Sequence, residues 1–338
     1  MINSKGIKEK ARELGIEIRI IPAAPFLEEA ERIRAQRNRD FFLKDTYWSD
    51  RNIEEFCNPS SVLPDAKSII GSFLFYLTQD KQDPSIPGKP YGLIARYTRR
   101  NYYKELRKRL KKLANFLKKE YGGKSFAYSC GPIAEKPIAQ RSGVGYYGKH
   151  SIIINPDYGS WIVLGEIITD LNIEPDEPLN LDCGECHRCI DACPTNAIIE
   201  PYIIDRKKCI QDLTNWLGVI PDDIARVWEN RLYGCTTCQE VCPLNKKTKP
   251  ESPKTEIGNV GAYIPLIEIL QMDEETYRKN YPDNQITARW INFDAIKRNA
   301  LICLGNIKDK RTIPVLKAFT KDPNPMLRNT ALWALKQF

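Results

Sequence analysis

The sequence predicts a three-part chain: an α/β N-terminal half, a cysteine-dense middle segment and an α-helical C-terminal cap. Three observations carry this prediction. Strand-length apolar runs alternate with helical patterns over residues 1–170. Eight cysteines then fall between Cys183 and Cys242. Near the C-terminus a helical pattern recurs at an offset of 31 residues.

Ile7 to Leu14 reads as a helix, Ile16 to Pro22 as a strand and Leu27 to Asn38 as a charged helix. Ser68 to Leu77 is almost entirely apolar, as a buried strand requires, and follows a turn at Pro64-Asp65. Leu106, Leu110, Leu113 and Leu117 recur at four, three and four, marking one apolar helix face. Lys104, Arg107, Lys108, Lys111 and Lys118 occupy the opposite, solvated face. Two further strands, Ser151 to Asn155 and Trp161 to Ile168, flank a turn at residues 156–159. The α/β domain is therefore assigned to residues 1–175. An acidic linker at Pro175 to Pro178 opens the cysteine segment, residues 176–250, and a polar stretch from Lys246 to Lys254 closes it.

In the cap, residues 251–338, Ile296, Lys297, Ala300, Cys303 and Leu304 correspond to Leu327, Arg328, Ala331, Ala334 and Leu335. Small residues at inner positions let neighbouring helices stack, which is a HEAT-like arrangement. Cys303 is read as a small core residue there.

The cysteine spacing is that of cluster ligands. A cubane cluster needs four thiolates, and two clusters need eight. The run Cys183-x2-Cys186-x2-Cys189-x3-Cys193-Pro194 wraps three thiolates round one cluster and sends the fourth to the other. The run Cys235-x2-Cys238-x3-Cys242-Pro243 lacks a first cysteine, which Cys209 supplies from upstream. One 4Fe-4S cluster is thus assigned to Cys183, Cys186, Cys189 and Cys242, the other to Cys193, Cys209, Cys235 and Cys238. Structural zinc also uses C-x2-C pairs, but it gives no reason for the interlocked x3-Cys-Pro endings. The segment is ferredoxin-like and handles single electrons.

Lys and Arg outnumber Asp and Glu by 51 to 43, a formal charge of +8. The excess lies at Arg99 to Lys119 and in the last fifty residues, where it would attract phosphate polymers in a salt-dependent way. The longest apolar run, Ile69 to Leu77, is too short to span a bilayer, so no membrane association is expected. No signal peptide is visible at Met1, and cluster thiols must stay reduced. The expected location is cytoplasmic.

Several segments carry a family resemblance. They are Asn230-Arg231-Leu232-Tyr233-Gly234-Cys235 through Asn245, Ala139-Gln140-Arg141-Ser142-Gly143-Val144-Gly145, and Gly148-Lys149. With them go Asn155-Pro156-Asp157-Tyr158-Gly159-Ser160, Leu164-Gly165-Glu166 and Leu63-Pro64-x-Ala66-Lys67-Ser68. Together with the HEAT-like tail, these make the chain resemble the epoxyqueuosine reductase family over nearly its whole length. The resemblance implies a nitroreductase-like, cobalamin-binding N-terminal domain, two 4Fe-4S clusters and reduction of epoxyqueuosine in tRNA to queuosine. It implies tRNA as a partner for the basic cap, and an external low-potential donor such as flavodoxin or ferredoxin. By the same resemblance, Ile153 and Leu164 line the corrin with the turn at Gly143 to Gly145. Gln211 lies at the corrin edge, with Trp216 and Gly218 between cofactors. Taken without the resemblance, the glycine turn reads as a tight helix-to-strand turn and Trp216 as a core aromatic. Of the two histidines, His187 is read as solvated and His150 as held by a local hydrogen bond.

The chain departs from the family where a proton must be delivered. The family's Asp position holds Ser129, whose hydroxyl is a far weaker acid. Tyr102 and Tyr103 fall where the family shows Asp-Tyr-His, so Ser129, Tyr102 and Tyr103 are the catalytic candidates, with Cys130 beside them. A basic residue of the family is replaced by Phe56 or Cys57. Three functions fit: a queuosine-pathway enzyme with Lys297, Arg298 and Arg328 as phosphate contacts; a paralogous cobalamin-dependent reductase of another substrate; or a two-cluster electron carrier without cobalamin.

Overall fold

The computed structural model describes every residue except 45–50. Its N-terminal half is built on β1 (Glu17–Pro22), β2 (Ser68–Phe75), β4 (Ser125–Tyr128) and β7 (Ile162–Thr169). They form one antiparallel sheet in the order β1-β2-β7-β4. β2 is buried along its whole length, which explains its unbroken apolar sequence.

Helices cover both faces. On one, α1 (Lys5–Glu13) and α3 (Tyr102–Tyr121) pack Ile7, Ala11 and Leu106 against Ile70 and Ile167. Leu106, Leu110, Leu113 and Leu117 are all fully buried, each contributing roughly 1.5–3 kcal/mol of transfer free energy. On the other face, α2 (Leu27–Asn38) and α4 (Glu135–Ser142) pack Ala30 and Ile138 against Ile69 and Ile168. A Cβ on Gly71 would lie 3.0 Å from Ile138 Cγ2, so this glycine lets α4 sit close on β2.

Smaller elements surround this sandwich. β5 (Tyr146–Tyr147) pairs with β6 (Ile153–Ile154), and β8 (Ile198–Glu200) with β9 (Ile203–Ile204). β3 (Tyr91–Ile94) leaves the α/β half and lies between β10 (Arg231–Tyr233) and β11 (Tyr263–Pro265). That three-stranded sheet joins segments from all three sequence divisions. Its core is shared as well: Ile94, Leu213, Trp228 and Leu232 pack with Ile296, Ala300 and Leu304.

The cap contains α5 (Phe293–Ile307), α6 (Ile313–Phe319) and α7 (Pro325–Leu335). The repeat-related helices α5 and α7 each start on an asparagine: Asn292 accepts from Asp294 N and Asn324 from Met326 N. A Cβ on Gly305 would come within 2.9 Å of Ala334 Cα, so small residues do set the closeness of this pair. Cys303 is fully buried, as the repeat predicts. Among the described residues no helix is long and apolar enough to cross a membrane.

Candidate active site

The eight motif cysteines are free thiols that fall into two neighbouring groups. Burial raises Cys189 to about 11, and Cys183, Cys242 and Cys186 are the thiols that add to it. Burial likewise pushes Cys238 far up, with Cys235, Cys209, Cys189 and Cys193 as its thiol neighbours. Cys189 therefore lies where the two groups meet. Sulfur-directed donors are in place: Ala197 N donates to Cys193 Sγ at 3.3 Å, and Thr237 Oγ1 lies 3.4 Å from Cys235 Sγ. A zinc ion about 2.3 Å from each of four sulfurs would draw them within about 4 Å of one another. Among the described residues no three Cys, His, Asp or Glu side chains converge on a single-ion site. The interlocked x3-Cys-Pro endings of the two runs suit cubane clusters.

A cavity of about 790 Å³ opens between the α/β half and the cysteine segment. The first half contributes Ile33, Phe56, Tyr103, Ile133, Ala134 and Tyr147, the second Leu181, Tyr202, Ile203 and Ile204. Arg32, Arg37, Arg51, Lys136 and Arg206 line it alongside Glu29, Glu135 and Asp182, so its polar lining is predominantly basic.

The candidate residues are distributed unevenly around this cavity. Tyr103 lines it, and burial together with the Cys130 and Glu135 charges holds its hydroxyl well above the usual range. Tyr102 is buried, packed on Tyr76 at 5.9 Å, and is not on the wall. Ser129 is buried too, and its hydroxyl donates to Leu164 O at 2.6 Å. Next to it Cys130 takes a left-handed backbone, φ 59°, and presents its thiol to the cavity.

Ile153 is a buried residue of the β5–β6 ribbon, and Leu164 packs on the sheet core. Gln211 clamps the second cysteine run: its Nε2 donates to Tyr97 Oη at 2.7 Å and its Oε1 accepts from Cys235 N at 3.3 Å. Gly218 O accepts from Arg298 at 2.9 Å. None of these four lines the cavity. Gly143 and Gly145 serve close protein packing, because a Cβ would meet Glu177 O and Ile154 O respectively at 2.5 Å. His150 Nδ1 accepts from Ile152 N at 3.2 Å, and burial lowers its pKa to about 4. His187 is exposed beside Asp191.

One sequence assignment is corrected. Arg298 cannot contact phosphate, because it is fully buried and its guanidinium binds the carbonyls of Leu213, Trp216 and Gly218. Lys297 and Arg328 remain partly exposed.

Three groups were missed from sequence. Arg51 stacks on Phe56 at 4.0 Å and donates to Gly131 O and Pro132 O, placing a guanidinium beside the residue where the family's basic group is absent. Glu135 opens α4 and accepts from Cys130 N and from Gly131 N, the latter at 3.3 Å. Glu166 on β7 is fully buried and interacts with Glu135 as a carboxyl pair. Burial raises Glu135 to about 7, and burial and the Glu135 charge push Glu166 well above the usual range. Two adjoining carboxyls cannot both ionise cheaply, so the pair holds a proton at neutral pH.

A carboxyl with a raised pKa in the folded state binds its proton more tightly there than in the unfolded chain. Its contribution to stability is complete below about 4.5 and lost as pH rises through about 7. A Glu135→Gln variant will therefore gain thermal stability relative to the parent between pH 5 and pH 9. Melting curves across that interval check this, and a pH-independent difference would contradict it.

The two thiol groups and the adjoining cavity define an iron–sulfur oxidoreductase with room for a second cofactor. Comparison with known proteins makes this specific. A 4Fe-4S double cluster binding domain matches residues 182–245, an epoxyqueuosine reductase model (QueG, DUF1730) residues 57–130, and HEAT repeats residues 292–338. The epoxyqueuosine reductase of Bacillus subtilis is 33% identical across 97% of this chain and 85% of its own length. That of Escherichia coli is 31% identical across 98% and 88%. A crystal structure of epoxyqueuosine reductase with an epoxyqueuosine-modified tRNA-Tyr stem loop superposes with a TM-score of 0.91 at 32% identity, covering 99% of this chain and 89% of that one. A Bacillus subtilis structure with its catalytic aspartate loop swung out of the active site gives 0.90 at 32% identity, covering 99% and 90%. The chain belongs to the epoxyqueuosine reductase family.

The cofactors are those of the family, two 4Fe-4S clusters and cobalamin. The cavity fits the second. Apolar side chains line it from both halves, with arginines and Lys136 among them, as a large, partly apolar group bearing a phosphate requires. No histidine is among its described lining residues, so no described imidazole is placed to ligate cobalt.

Proposed function

We propose that this chain removes the epoxide oxygen of epoxyqueuosine in tRNA, giving queuosine. The observation that carries the reading is the cavity's position, walled on one side by the cluster-bearing segment and on the other by the sheet domain. Cobalamin bound there supplies a low-valent metal centre able to engage an epoxide carbon. The protein's own parts have distinct roles. Cys183, Cys186, Cys189 and Cys242 hold one cluster, Cys193, Cys209, Cys235 and Cys238 the other, and their adjacency gives electrons a short path. Ile33, Phe56, Ile133, Ile203 and Ile204 exclude water from the cavity. Arg32, Arg37 and Arg206 make its surroundings favourable for phosphate.

In this reading residues 1–175 form the cobalamin-binding, nitroreductase-like part, 176–250 the cluster part and 251–338 the HEAT-like part. The related complex with a tRNA stem loop supports tRNA as substrate, with Lys297 and Arg328 available at the cap surface. A cytoplasmic low-potential protein, a flavodoxin or ferredoxin, fits as electron source because each cluster accepts one electron at a time.

The test is anaerobic reconstitution with iron, sulfide and hydroxocobalamin, then assay on an epoxyqueuosine-bearing stem loop with a chemical reductant. The expected result is about eight irons and one corrinoid per chain, with conversion to queuosine. Full iron without corrinoid would leave an electron carrier. Both cofactors without conversion would mean another substrate.

A further inference from the structure

Replacement of the family's aspartate by Ser129 leaves the reaction without an obvious acid. Opening an epoxide and expelling its oxygen takes two electrons and two protons, leaves a carbon–carbon double bond and releases water. The clusters supply electrons; some group must protonate the oxygen as its bond to carbon breaks. Ser129 is turned away, its hydroxyl committed to Leu164 O.

Directly behind the same loop lies an unassigned pair of carboxyls. Glu166 is fully buried on β7, and among the described residues no N–H group donates to either of its oxygens. An ionised carboxylate in that position would be left bare, so geometry alone demands a proton on it. Its Oε1 lies 2.5 Å from where a Cβ on Gly131 would stand, which puts the carboxyl immediately beneath the Cys130–Gly131 turn. Glu135 joins it to the cavity: it lines the wall, and the backbone N–H groups of Cys130 and Gly131 point at its Oε1.

We propose that Glu135, sharing a proton with Glu166 behind the Cys130–Gly131 turn, is the proton donor to the leaving epoxide oxygen in this chain. The inference rests on the epoxyqueuosine reading above. As the carbon–oxygen bond breaks, the Glu135 proton passes to the oxygen. The resulting carboxylate is held by the two backbone N–H groups, as in an N-terminal helix turn. Solvent at the mouth of the cavity then returns the shared proton to the pair and supplies the second proton needed for water.

The other charged or titratable groups around the pair suit this role. Arg51 faces Glu135 from the segment before Phe56, and Lys136 follows it on α4 with its Nζ on Ser151 O at 2.7 Å. Both favour the carboxylate once the proton has left. Cys130 and Tyr103 also face the pair, and burial raises both, Cys130 to about 11 and Tyr103 well above its usual range. At neutral pH each is a weaker acid than Glu135, which sits at about 7.

The test uses protein reconstituted with both clusters and cobalamin. Glu135→Gln should lower turnover of the epoxyqueuosine stem loop by about 10²–10⁴-fold, with iron, corrinoid and stem-loop binding unchanged. Glu166→Gln should keep more activity but move the alkaline limb of the pH–rate profile. Infrared difference spectra supply a readout independent of turnover: a protonated carboxyl band at pH 7 that is present in the parent and lost or shifted in both variants. Tyr103→Phe serves as the rival. Parent activity retained in Glu135→Gln, or lost only in Tyr103→Phe, would overturn the donor assignment and leave the function standing. A fully loaded parent that never converts the stem loop would instead overturn the function and the donor role with it.

Discussion

Replacing Arg298 with methionine will destabilise the protein by about 3 kcal/mol and loosen the segment that follows Cys209. The guanidinium is fully buried, and among the described residues its partners are carbonyl and amide oxygens, with no carboxylate. Burial lowers its pKa to about 9, so it remains charged at neutral pH. Its charge is offset by carbonyl oxygens of Leu213 at 2.6 Å, Trp216 at 2.5 Å and Gly218 at 2.9 Å, and by Asn299 Oδ1. Methionine fills much of the volume but leaves those carbonyls buried without a donor, each at a cost of roughly 1–3 kcal/mol before relaxation. Those same residues connect Cys209 to the shared core, so iron bound after desalting should fall along with the melting temperature. Arg298→Lys retains the charge but lacks the fork that spans three acceptors, and should be intermediate. Parent-like melting in Arg298→Met would show that the cap does not brace the cluster segment.

The second large effect concerns crossed ligation. Cys242 lies in the second cysteine run, yet its thiol neighbours Cys183 and Cys189 lie in the first. Cys242→Ser should therefore remove the same cluster signal as Cys183→Ser. Cys209→Ser should remove the signal lost in Cys193→Ser. Each change should reduce iron from about eight to about four per chain, provided the remaining cluster survives, and abolish turnover. Electron paramagnetic resonance of reduced protein separates the two signals. If Cys242→Ser instead matched Cys235→Ser, each run would serve its own cluster.

Legibility in the sequence followed the range of the interactions. The helix at Leu27–Asn38 and the buried strand beginning at Ser68 emerge where periodicity and composition place them, because those patterns report which side faces a core. The 31-residue repeat correctly marks α5 and α7, since small inner residues are what close helix packing requires. Charge was less informative. Arg298 sits at a repeat position occupied by a basic residue's neighbour, and only folding shows its guanidinium reaching carbonyls 80 and 85 positions away. The same holds for β3: Tyr91–Ile94 reads as part of the first domain, yet pairs with strands from the later segments.

The cysteine spacing, the repeat and strands β1, β2 and β7 were legible in the sequence itself, because local spacing controls ligand reach, helix face and strand burial, whereas β4 was not read from it. The acid–base site was decided by tertiary structure. Glu135 and Glu166 are 31 positions apart on different elements, and nothing in their spacing announces a shared proton. They become a pair because β7 and the turn after β4 are adjacent in one sheet, with Tyr128 registered against Glu166. Removing both carboxyls from water there turns two ordinary acids into one that retains its proton at neutral pH.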